Sequence, residues 1–106
     1  MSMGPERKFR TNKVDPFLKS LKNGYFISIQ QMSICGIPDK LGVIRGRFVA
    51  IELKAIGGKV APLQDWVLSN IARCGGVAIV ANPGNWSEVM LRLKKLDGDE
   101  NDRNEI

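Results

Sequence analysis

Asp39, Glu52 and Lys54 put two carboxylates and one ammonium within a short reach of chain. Glu52 and Lys54 are two residues apart, so on a strand they share a face. Phe48 to Ala55 has the apolar and β-branched character of a strand, and only these two charges interrupt its interior. Val49, Ile51 and Leu53 would line one face and Phe48 and Ala50 the other, which marks a central strand where an unpaired charge is costly. Charges kept in such a place coordinate a metal or take part in chemistry. The alternative is a solvated ion pair on a sheet face, worth little. Asp39 follows Pro38 at the start of the expected antiparallel partner, Lys40 to Ile44, with Gly46-Arg47 as the turn between the two. A proline lacks the ladder donor, which suits a strand's first residue.

The elements that must hold these residues follow from periodicity. A helix is expected from Pro5, with Phe9, Val14, Phe17, Leu18 and Leu21 as its apolar stripe. Pro16 either kinks it near Asp15 or starts a second helix with Asp15 as N-cap. Tyr25 to Gln30 reads as a strand. Pro62 opens a helix to about Cys74, with Leu63, Trp66, Val67, Leu68 and Ile71 inward. Val77 to Ala81 is wholly apolar, hence a buried strand that is central or parallel. Asn82-Pro83-Gly84 is a turn, and Trp86 to Leu96 is a last amphipathic helix. The order α-β-β-β-α-β-α predicts an α/β fold, a three-layer mixed sheet flanked by helices.

The chain has 106 residues, 43% of them hydrophobic, which bounds it to one folded domain over residues 1–96. Residues 97–106 hold five acids and one base and are expected to be disordered. The net charge of +5 hides this asymmetry: residues 1–96 carry 15 basic against 6 acidic residues, a balance of +9. A body so basic favours polyanions, most simply nucleic acid. Two of its six acids are Asp39 and Glu52, as expected if they hold a cation. Arg7, Lys8, Arg10, Lys13, Lys40, Arg45, Arg47 and Lys59 are the candidate phosphate contacts. With no histidine, histidine catalysis and the common zinc sites are excluded. Cys35 and Cys74 are expected to be buried free thiols, and Trp66 and Trp86 to be core. No apolar run reaches membrane-spanning length and the N-terminus is polar, so a cytoplasmic protein is expected.

The pairing of Pro38-Asp39 with Glu52-Leu53-Lys54 resembles the PD-(D/E)xK nuclease signature, whose core shares the element order above. Glu6 in the first helix, Gly36-Ile37-Pro38-Asp39, Gln64 after Pro62-Leu63, and Gly75-Gly76 extend the likeness. With these, residues 6–85 resemble a VRR-NUC (virus-type replication-repair nuclease) domain. That resemblance implies a restriction-endonuclease-like core in which Asp39, Glu52 and the backbone carbonyl of Leu53 ligate Mg²⁺ or Mn²⁺. It implies that Lys54 orients the attacking water or stabilises the transition state, and that Gln64 bonds the same water or Lys54. Glu6 is either a further metal ligand or a favourable charge at a helix start. The implied activity is metal-dependent DNA endonuclease, selective for branched DNA such as a four-way junction and acting as a homodimer, in a bacterial or phage-infected cell. Tyr25, Phe26, Ile34 or Trp86 would supply the dimer surface. The alternatives are a monomeric flap or nicking nuclease and a non-catalytic nucleic-acid-binding module on the same fold.

Overall fold

The computed structural model describes residues 4–29 and 36–98. The elements run α1 (Pro5–Phe9), a π-helical turn (Arg10–Val14), α2 (Asp15–Ser20), β1 (Gly24–Ser28), β2 (Lys40–Ile44), β3 (Arg47–Leu53), α3 (Pro62–Arg73), β4 (Val77–Ala81) and α4 (Trp86–Asp97). The sheet order is β1-β2-β3-β4, with β4 parallel to β3 and the other pairs antiparallel. This is the mixed α/β sheet expected from the periodicity. β4 is indeed parallel, but it lies at the sheet's edge rather than its centre.

The first helical run neither breaks nor restarts at Pro16. Phe9, Arg10, Val14 and Asp15 all keep right-handed helical dihedrals. The proline lacks an N–H, and its ring would crowd the carbonyl of the preceding turn; a widened π turn relieves both problems. Asp15 is therefore not an N-cap. Its carboxylate stands 2.5 Å from the Lys40 ammonium instead.

One face of the sheet carries the main core. Opposed residues share a face, so Ile44, Val49, Ile51, Leu53, Val77, Ile79 and Ala81 meet Phe9, Val14, Leu18, Leu21, Val89 and Leu93 from α1, the π turn, α2 with its C-cap, and α4. Trp86 is core, as expected, with its ring edge-on to Phe9 at 5.4 Å and to Phe17 at 5.5 Å. Its burial removes it from any dimer surface. The other face receives α3, which turns Leu68 inward and leaves Trp66 65% exposed. Leu63 is also exposed, so the inner stripe is Gln64, Val67, Leu68 and Ile71 rather than one containing Leu63 and Trp66. Cys74, expected inside, is exposed because it caps α3 where the chain turns outward. Cys35 lies outside the described residues.

The β2–β3 hairpin turns at Arg45-Gly46, one residue earlier than expected, with φ of 48° and 84°. Positive φ at both positions is the two-residue turn that matches strand twist. Gly42 serves a different need, since the Phe26 ring lies across it and a Cβ there would overlap both that ring and the Tyr25 carbonyl. Gly42→Ala is expected to destabilise the fold by about 2 kcal/mol, measured by urea unfolding. Among the described residues no helix is long and apolar enough to cross a membrane.

Candidate active site

The carboxylates meet where β2 begins and β3 ends. Lys40 pairs with Ile51, so the two strands leave register just where Asp39 and Glu52 stand. One further step would set Leu53 opposite Pro38. A proline has no N–H to give, and the Leu53 carbonyl receives no ladder donor from it. The Leu53 N–H is taken by the Asp39 side chain, whose Oδ2 accepts it at 2.8 Å. The Lys54 N–H bonds the Ala81 carbonyl on the β4 side. Backbone groups of a strand point alternately to its two neighbours, so those of Leu53 are directed toward Asp39. Pro38 thus explains how a backbone carbonyl in a central strand can be left for a ligand. Gly36 sets the approach: its φ is 84°, and a Cβ there would come within 2.8 Å of Leu63.

Glu52 is 3% exposed and held from two sides. Gln64 Nε2 donates to its Oε2 at 2.7 Å, and the Lys54 ammonium lies 3.3 Å from the same oxygen. Gln64 Oε1 accepts the Ala61 N–H at 3.0 Å, so this side chain is fixed at both ends and bonds Glu52 rather than Lys54. The reach back from the third helical residue to the N-cap also closes the start of α3. Burial, followed by the negative charge of Asp39, pushes the Glu52 carboxyl up from 4.5 to about 7. The hydrogen bond and charge of Lys54 oppose that rise, and Glu6 adds a smaller push upward. Glu6 is thus near enough to be felt electrostatically.

No group of three or more His, Cys, Asp or Glu side chains that could hold a metal occurs among the described residues. Asp39 and Glu52 are two carboxylates, with the Leu53 carbonyl directed to the same place. That donor set is all oxygen and leaves room for waters, which suits a hard divalent cation. Pro38→Ala tests the third donor. An alanine N–H opposite Leu53 would compete for its carbonyl, and a bond worth about 1 kcal/mol corresponds to roughly fivefold weaker Mn²⁺ binding by calorimetry. Unchanged affinity would remove that carbonyl from the set.

The basic residues divide. Arg7, Lys8, Lys13 and Lys59 are exposed, and Arg10 is partly so. Lys40 is not presented to a phosphate: it is 3% exposed, with its ammonium bonded to Asp15 and, at 2.5 Å, to Ser28 Oγ. Adjacent strand residues face opposite ways, so Lys40 had to enter the core face if Asp39 was to leave it. Arg45 and Arg47 sit at the hairpin turn, the far end of β2 and β3 from Asp39, and Arg47 Nε bonds the Gly75 carbonyl at 3.3 Å. The sequence reading missed the Asp15–Lys40–Ser28 cluster. Its one signal was the alternation that places Lys40 opposite to Asp39. The chain matches no family model, and no curated protein matches it.

Proposed function

We propose that this chain is a divalent-metal-dependent DNA endonuclease of the PD-(D/E)xK type, with a restriction-endonuclease-like core resembling VRR-NUC domains. One observation carries the reading: at the end of β3 the Leu53 N–H holds Asp39, Gln64 and Lys54 hold the adjacent Glu52, and Asp39 acts electrostatically on Glu52. Asp39, Glu52 and the Leu53 carbonyl are the groups that would hold Mg²⁺ or Mn²⁺. What such a cation supplies is a lowered pKa for a water and compensation of the charge growing on a phosphoryl group. The protein's own share is positional and electrostatic. Gln64 holds the Glu52 carboxylate in one orientation, and Asp39 is held by the Leu53 N–H. The Lys54 ammonium stands beside Glu52 to stabilise negative charge as it develops. Of the candidate phosphate contacts, Arg7, Lys8, Lys13 and Lys59 are exposed cations away from the hairpin turn, available to a DNA backbone.

We assign its selectivity to the shape of branched DNA, with two sites paired in a C₂ homodimer. Tyr25, Val43 and Phe48 form an exposed apolar row across β1, β2 and β3 on the same side of the sheet as α3, the surface that favours such pairing. Phe26 faces the opposite way over Gly42, and Ile34 lies outside the described residues. The test is cleavage of four-way junctions, flaps and linear duplex with Mg²⁺ or Mn²⁺, beside sedimentation of the free protein. Cleavage that survives Asp39→Ala would refute the site. Binding without cleavage would favour the non-catalytic module, and a monomer cutting flaps as readily as junctions would favour the simpler nuclease.

A further inference from the structure

Asp39 stands just past the end of both of its ladders. Ser28 with Lys40 is the last pair between β1 and β2, and Lys40 with Ile51 the last between β2 and β3. Pro38 comes before it with no N–H to bond, and the ends of ladders are the first parts of a sheet to open. Two bonds fix Asp39 itself: the Ile29 N–H donates to its carbonyl at 2.9 Å, and the Leu53 N–H to its Oδ2 at 2.8 Å.

Lys40, the next residue, is fixed on the opposite face of the sheet. Its buried ammonium lies 2.5 Å from an Asp15 carboxylate oxygen on α2 and donates at 2.5 Å to Ser28 Oγ on β1. A buried ion pair is poor support for a fold, because desolvation of the two charges offsets their attraction and well-packed apolar side chains of similar volume serve as well. What the ammonium adds is direction. It ties one residue of β2 to a helix and to the neighbouring strand at once, whereas a methionine in its place would fill the core and hold neither. The tie falls on the residue that adjoins Asp39, where both ladders stop.

We propose that Lys40, with Asp15 and Ser28, positions Asp39: the three hold the start of β2 from the core face, so that the Asp39 carboxylate on the other face stays against the Leu53 N–H. Lys40 acts through the backbone, and all three are positioning residues. The inference rests on the metal-site reading above only in its consequence for a cation. Lys40→Met combined with Asp15→Asn tests it, since both charges leave together and neither is stranded. This double variant is expected to unfold at the same urea concentration as wild type and to keep the exchange rate of the Val49 amide, whose residue pairs with Gly42 further along the ladder. Its Leu53 amide is expected to exchange at least tenfold faster, and its Mn²⁺ affinity by calorimetry to fall about tenfold. Ser28→Ala removes one of the two contacts and carries the same comparison if the double variant does not fold. A Leu53 amide as protected as in wild type overturns the proposal. Loss of Leu53 and Val49 protection in step with the urea midpoint also overturns it, as the mark of a merely structural pair. The exchange measurement needs neither metal nor DNA. Faster Leu53 exchange in a protein whose wild type binds no Mn²⁺ would support the positioning role and overturn the metal-site reading alone.

Discussion

Lys54→Ala is expected to slow DNA cleavage by about 10²- to 10³-fold while leaving Mn²⁺ binding at high pH within a few-fold of wild type. An ammonium is no metal ligand; what it loses is stabilisation of charge that develops only in the transition state. Its 3.3 Å contact with Glu52 adds a ground-state effect that must be separated. Lys54 is what draws the Glu52 carboxyl downward against burial and Asp39, so without it that group stays protonated to higher pH. At neutral pH the variant should therefore bind Mn²⁺ more weakly, because protons compete. By pH 9 the difference should vanish, while the loss of cleavage remains. Calorimetry with Mn²⁺ and single-turnover cleavage at both pH values decide. Affinity and rate lost equally at pH 9 would make Lys54 structural.

Glu52→Gln should abolish cleavage and yet stabilise the metal-free protein. The folded Glu52 carboxyl titrates near 7, above its ordinary 4.5. A group whose pKa is raised by folding binds its proton more tightly in the folded state. Below 4.5 both states are protonated and nothing is lost; between 4.5 and 7 stability falls; above 7 the full penalty, about 3 kcal/mol, is present. Glutamine carries no charge to desolvate and can still accept the bond from Gln64. The variant should therefore match wild type at pH 4 and unfold at higher urea at pH 8. Mn²⁺ should raise the stability of wild type at pH 8 but not that of the variant. A wild-type stability flat from pH 4.5 to 8 would show that Glu52 is not strained by burial.

Strand and helix identities were legible in the sequence because burial writes them directly as period two or period 3.6. Val49, Ile51 and Leu53 announced a central strand, and Glu52 and Lys54 within it announced a shared face. Where neighbouring elements compete, local pattern was insufficient. Asp15 carries the marks of an N-cap, but the helix passes through Pro16 and the Asp15 carboxylate partners Lys40, which its neighbour Asp39 forces inward. Trp66 and Leu63 fit an apolar stripe, but the bond from Gln64 to Glu52 sets the phase of α3 and turns them outward. The sequence by itself determined which residues carry charge and which must be buried, since both follow from side-chain chemistry. Only the tertiary structure decided which charges meet. Register between β2 and β3 sets Leu53 against Pro38 and frees its backbone for Asp39, a relation between distant residues that no local periodicity encodes.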